Sequence, residues 1–245
     1  MESEEKPMKI TEHLEELRQV ILKSLLGLAV GVVISFFFTE KVIDFLAKPV
    51  GGIENLQAIE VTETISVYMR VALMSGLIIA LPWIFYQLFK FIGTGLKQNE
   101  RKNLYIAIPF AVIMFVGGAA FAYYITLPSA MKFFMEFLDV EVTLRIKSYF
   151  GFVINMIFWI GCCFELPLIV SILARLGIVN AKMLIKGWRI AVVVITVLAA
   201  VITPTADPVN MAIFMLPLFG LYLLSIGLAA ITQKKPAAKQ VSEET

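Results

Sequence analysis

Tyr149-Phe150-Gly151-Phe152-Val153-Ile154-Asn155-Met156-Ile157-Phe158-Trp159-Ile160-Gly161-Cys162-Cys163-Phe164-Glu165-Leu166-Pro167-Leu168 opens an apolar run that continues to Leu176 and contains one carboxylate. About 20 apolar residues in a helix cross a hydrocarbon core of about 30 Å, so this run reads as a membrane span. Five more runs read the same way: Val20 to Thr39, Val67 to Ile92, Leu104 to Leu127, Trp188 to Ile202 and Asn210 to Ile231. Strands of a membrane barrel would alternate polar and apolar residues, and these runs do not.

Composition agrees. Of the 245 residues, 59% are hydrophobic and 16% charged, and the mean hydropathy is +0.85. Soluble domains average about 45–50% apolar and about 25% charged residues. An ordinary soluble enzyme, a disordered chain and a disulfide scaffold are thereby excluded. Cys162 and Cys163 are adjacent on one helix and point about 100° apart, which disfavours a structural disulfide; they read as small buried side chains. The polar, acidic start, with Glu2, Glu4 and Glu5, carries neither a signal-peptide nor a transit-peptide pattern. No period of 20–50 residues repeats, and the two halves are not duplicates, against the usual build of a secondary transporter. The expectation is a polytopic membrane protein of the cytoplasmic (inner) membrane of a prokaryote.

Basic residues collect on cytoplasmic flanks. With the N-terminus placed inside, fifteen Lys and Arg residues fall on the cytoplasmic side and five on the other, with Arg70 near the outer end of the second span. Both termini are therefore expected in the cytoplasm. The expected organisation is a cytoplasmic amphipathic segment over 1–19, a six-span domain over 20–231 and a polar tail over 232–245. Two long outer segments, Glu40 to Ser66 and Pro128 to Ser148, mix apolar and charged residues, and Val42, Ile43, Phe45 and Leu46 predict a short amphipathic helix before Pro49. The fifth span is short: from Arg189 to Thr203 a helix covers only about 21 Å, so the bilayer thins or flanking residues snorkel. The expected fold class is all-α, a six-helix membrane bundle with short fifth and sixth spans, whose kinked fourth span would suit a concave, cupped surface.

Few residues carry chemistry. Ile10, Leu14, Leu17 and Ile21 recur at helical spacing ahead of the first span, with Thr11 as an N-cap and Glu12, Glu15, Glu16 and Gln19 off the apolar stripe. Glu165 lies within the fourth span, where a carboxylate costs a few kcal/mol or more unless paired, hydrated or protonated. It reads either as a functional acid or as a hydrogen-bonded packing residue. Pro167 removes a backbone donor and should kink the helix beside it. Glu100 is an acid in an otherwise basic loop with Lys97, Arg101 and Lys102. It either balances charge or receives a cation such as guanidinium, which pairs with a carboxylate through two parallel hydrogen bonds. No phosphate loop, metal-ligand spacing, nucleophile triad or nucleic-acid patch is present. No catalysis, cofactor, metal or nucleic-acid partner is expected.

Several of these segments together resemble one family. Thr11-Glu12-His13-Leu14-Glu15-Glu16-Leu17-Arg18, Thr62-Glu63, Pro82-Trp83-Ile84-Phe85-Tyr86-Gln87, the loop Phe91 to Arg101, Phe121-Ala122-Tyr123 with Pro128, Phe164-Glu165-Leu166-Pro167 and Thr203-Pro204-Thr205-Ala206-Asp207 occur in the order found in the TatC family. That family is the multispanning core of the twin-arginine protein translocase, and the resemblance covers about Lys9 to Ile231. Two positions depart from its pattern: the loop proline is Thr94 here, and the second arginine of the N-terminal signature is Val20.

The resemblance implies a receptor for signal peptides that carry two consecutive arginines on folded cargo. Glu16 and Glu100 would pair with the guanidiniums, which lysine cannot imitate in planar, bidentate form, and Phe91 and Leu96 would contact the peptide. Glu165 and Asp207 would belong to a surface that meets single-span partner subunits, TatA or TatB, and other TatC copies would join the assembly. Export would draw on the proton motive force. The competing readings are a small-molecule secondary transporter with Glu165 as its ion-coupling residue, and a passive structural subunit.

Overall fold

The computed structural model of the protein describes residues 10–94, 98–136, 143–202 and 208–233. In hydrocarbon no water satisfies backbone N–H and C=O groups, so apolar runs must pair them internally, as helices do. The helices in chain order are α1 (Ile10–Ser35), α2 (Thr39–Ala47), α3 (Thr62–Thr94), α4 (Gln98–Phe121), α5 (Leu127–Glu136), α6 (Ile146–Phe164), α7 (Leu166–Arg175), α8 (Ala181–Lys186), α9 (Trp188–Ile202) and α10 (Pro208–Thr232). Among the described residues, five segments are long and apolar enough to cross a membrane: His13–Ser35, Thr62–Gly93, Ala107–Met135, Ile146–Arg175 and Met211–Thr232. Trp188–Ile202, the fifth apolar run, is short as expected, about 22 Å long at 1.5 Å per residue; the sixth is not, because α10 continues through Pro217 for 25 residues. The all-helical membrane architecture is as expected; a two-residue parallel pair, β1 (Leu56–Gln57) with β2 (Leu144–Arg145), is the small exception.

Helix boundaries differ from the sequence expectation in instructive ways. Thr11 is not an N-cap, because α1 already includes Ile10 and runs unbroken through the amphipathic segment into the span. The stripe Ile10, Leu14, Leu17, Ile21 is in phase with the span, and no Gly or Pro interrupts it. The third span is longer than Leu104 to Leu127: α4 passes through a π-helical turn, Ala122–Thr126, into α5. Pro128 has no N–H for the Tyr124 carbonyl, and the wider turn falls just before it. In the fourth span the α-pattern stops at Phe164 and resumes at Leu166, leaving Glu165 at the junction. Pro167 denies the Cys163 carbonyl its partner there, so the expected disruption is found. Proline alone does not decide this, since Pro82, Pro109 and Pro217 stay inside α3, α4 and α10.

The chain forms two compact units, Met1–Gly161 and Cys162–Thr245. In the first, α1 packs along α3 through small residues. A Cβ added at Gly76 would lie 2.5 Å from the Val32 Cα, and one at Gly31 would lie 3.2 Å from the Ala80 Cβ. Ser35 Oγ donates to the Ala72 carbonyl at 2.6 Å, and Trp83 Nε1 donates to the Lys23 carbonyl at 2.9 Å over Gly27. Gly27, Gly31 and Ser35 thus face a strip of Ala72, Gly76 and Ala80. Close backbone approach of this kind replaces the hydrophobic effect as the source of association in lipid.

The Val42 to Leu46 prediction holds: α2 is a short helix whose Ile43, Leu46 and Ala47 are buried. Tyrosines anchor its C-terminal carbonyls, where the run of intrahelical bonds ends. Tyr123 Oη donates to the Phe45 carbonyl at 2.6 Å, and Tyr149 Oη to the Leu46 carbonyl at 2.7 Å. Beside β1 and β2, Arg145 pairs with both Glu60 and the buried Glu63. The hydrogen bond to Glu63 raises the Arg145 guanidinium above its ordinary range.

In the second unit α7 packs against α10 around Ala174, Ala181 and Ala229. Gly177, at φ +76°, ends α7 in the left-handed conformation that glycine adopts without penalty. The Asn180 side chain then caps α8 by accepting from the Met183 N–H at 2.8 Å. Tyr222 Oη donates to the Leu184 carbonyl and ties α8 to α10.

Candidate functional site

The α1–α3 packing sets the geometry of the first candidate. Because the helices run antiparallel, the start of α1 lies beside the end of α3. Glu16, Gln19, Val20 and Lys23 from α1, with Gln87, Lys90 and Phe91 from α3, line a cavity of about 110 Å³. That is the volume of roughly three or four liquid waters, enough for one planar head group. His13 stacks on Phe91, with ring centroids 4.4 Å apart and planes 16° apart. The His13 Nδ1 lies 3.9 Å from Glu16 Oε2. That Glu16 oxygen is buried and accepts no hydrogen bond from any described residue.

A buried carboxylate oxygen without a donor is costly, and the cavity sets it beside two cations, Lys23 and Lys90. The chemistry is that of an anionic acceptor held on a rigid helix, next to an aromatic face, within a basic rim. A third cation entering here meets like charge as well as the carboxylate, so a further acid nearby would be needed to favour it.

The structure places Glu16 and Phe91 in the lining of one cavity. Glu100 falls on the first turn of α4, while its side chain is outside the described residues. Leu96 and Asp207 also lie outside the described residues. Glu165 is buried at the α6–α7 junction with 7% of its surface exposed. Sequence reading missed Gln87 and Lys90 of α3 as neighbours of Glu16. One signal could have pointed to them: Gly27 and Gly31, four apart on α1, mark the face that must meet another helix closely.

No group of three or more His, Cys, Asp or Glu residues among the described residues could hold a metal ion.

Residues 12–217 match the protein-family model "Sec-independent protein translocase protein (TatC)". The chain is 34% identical to the Sec-independent protein translocase protein TatC of Carboxydothermus hydrogenoformans, over 95% of this chain and 97% of that one. It is 38% identical to the Deinococcus radiodurans protein of the same description, over 90% and 85% of the two chains. Among solved structures, a crystal structure of the twin arginine translocase receptor TatC superimposes with a TM-score of 0.79 at 30% identity, covering 89% of this chain and 97% of that one.

Proposed function

Since the chain belongs to the TatC family of Sec-independent protein translocase components, we propose that its Glu16 cavity receives one arginine of a twin-arginine signal peptide. The chain is a multi-pass membrane protein of protein transport rather than an enzyme, and works with other Tat subunits. The observation that carries the proposal is the buried Glu16 Oε2, without a hydrogen bond from any described residue and set beside Phe91.

A guanidinium supplies the missing donors in fork geometry and stacks on an aromatic face. The cavity has room for one such group, so the second arginine pairs elsewhere, with Glu100 at the start of α4. Phe91 and Leu96 contact the apolar part of the peptide. This end of the bundle faces the cytoplasm, with both termini and six spans, in a prokaryotic inner membrane. Glu165 and Asp207, with α9 and α10, meet single-span TatA or TatB subunits. Further copies of the chain complete the assembly, which the proton motive force drives.

The test is binding of a fluorescent twin-arginine signal peptide to the purified chain in nanodiscs. Glu16→Gln and Glu100→Gln should each weaken binding about tenfold or more, the scale of a charge-assisted hydrogen bond. Replacing Arg-Arg by Lys-Lys in the peptide should weaken it similarly. Unchanged affinity in the double variant would overturn the proposal.

A further inference from the structure

Arg70 is a cation within the candidate span Thr62–Gly93. It is exposed, and neither an ion pair nor a hydrogen bond joins it to any described residue. Across from it, Asn155 is an exposed amide within the span Ile146–Arg175. Intramembrane cations are rare and mark functional contacts by default.

Both residues line one groove of about 520 Å³, whose walls are Leu73, Met74 and Leu77 of α3, Ile154 and Phe158 of α6, and Leu28 of α1. The groove is ordered along the helices. A Cβ added at Gly151 would lie 3.4 Å from Arg70 Nη1, so Arg70 and Gly151 are level. Asn155 lies one turn further along α6, and Leu77 and Phe158 about 10 Å deeper than Arg70 and Gly151. Polar groups thus crowd one end, and the rest is apolar.

Depth identifies what the polar end meets. A helix the length of α3 is about 50 Å long, against a hydrocarbon core of about 30 Å. Shared evenly, the excess is about 10 Å at each end. Arg70 is about 12 Å from the Thr62 end, and side chains lean toward the helix N-terminus. Its guanidinium therefore reaches the level of lipid phosphates.

The apolar part of the groove runs along α3 and α6, and at about 520 Å³ it takes an acyl chain laid along it. Charge identifies the head group. Lys147 is four residues before Gly151, one turn nearer the groove mouth on the same face of α6. The nearby acids Glu60 and Glu63 are both engaged by Arg145.

We infer that this groove binds one anionic phospholipid, with its phosphate on Arg70, an ester carbonyl on Asn155 and one acyl chain along Leu73, Leu77 and Phe158. The lipid neutralises a cation that the chain itself leaves without a partner, and it fills the wall between α3 and α6.

The experiment uses the purified full chain in nanodiscs containing phosphatidylglycerol with a photoreactive acyl chain, followed by peptide mapping. Label should appear on the segments 70–77 and 151–158. Unlabelled phosphatidylglycerol should compete it away, and phosphatidylcholine should compete about fivefold less well, the effect of about 1 kcal/mol per basic residue at a membrane surface. Arg70→Gln should lower labelling about fivefold and Arg70→Lys should largely retain it. Leu77→Trp, which keeps the cation and fills the groove, should abolish it. Equal competition by the two lipids, or wild-type label confined to other segments, would overturn the inference. So would transfer of the label to a co-purified single-span subunit seated in the groove. The wild-type arms need no variant to fold, and none of these readouts depends on signal-peptide binding.

Discussion

The His13 imidazole stacks face to face on the Phe91 ring, 4.4 Å between centroids, although 78 positions of sequence separate them. This contact ties the first turns of α1 to the last turns of α3, and the Phe91 ring lines the Glu16 cavity.

Phe91→Ala removes both the stacking surface for His13 and a wall of the cavity. Signal-peptide affinity should fall about tenfold, with His13→Ala costing about threefold, since an aromatic pair contributes about 0.5–1.5 kcal/mol beyond its buried area. Titration of the fluorescent peptide against each variant in nanodiscs measures both.

Lys23 and Lys90 line the same cavity as Glu16 and oppose an arriving arginine. Lys90→Gln should therefore strengthen peptide binding about two- to fivefold at low salt, the opposite direction to Glu16→Gln. The gain should shrink as ionic strength rises and the Debye length falls below about 10 Å. Binding isotherms at two salt concentrations check the sign and the screening together.

Two glycines in spans make a controlled pair. A Cβ at Gly76 would press on the Val32 backbone, whereas one at Gly117 meets nothing within 4 Å. Gly76→Ala should destabilise by about 1–3 kcal/mol through overpacking. Gly117→Ala should be neutral or stabilising by up to about 1 kcal/mol through helix propensity. Thermal unfolding of the two purified variants in detergent compares them directly.

Tyr149→Phe keeps the ring and removes the donor to the Leu46 carbonyl. The orphaned carbonyl at the end of α2 should cost about 1–3 kcal/mol. The loss should be local, seen as faster amide hydrogen exchange over 39–47 with the exchange of α10 unchanged.

Arg145→Ala leaves Glu63 buried without its cation, which should lower the melting temperature. Removing the charge as well, in the double variant with Glu63→Gln, should recover most of the loss, because the penalty of a stranded buried charge exceeds the net contribution of the pair. Equal melting temperatures for the single and double variants would count against this.

The sequence alone determined the helical, membrane-spanning class, the disruption at Pro167 and the short helix before Pro49. These are local properties. Hydrocarbon leaves the backbone no other way to satisfy its polar groups, and proline acts on the carbonyl four residues before it. Only the family motifs single out Glu16 for the proposed site, since no periodicity distinguishes it from Glu15.

Tertiary structure decided what those residues face. The register of α1 on α3 joins Glu16 to Gln87, Lys90 and Phe91, and it rests on Gly27, Gly31 and Gly76 letting two backbones touch. The pairing of Arg145 with Glu63, the tyrosine anchors of α2 and the groove between Arg70 and Asn155 likewise join segments roughly 80 to 100 residues apart. Local hydrophobic pattern carries no record of which helix lies opposite, because in lipid every apolar face is equally well solvated. Only close packing and polar pairing between distant residues distinguish one neighbour from another.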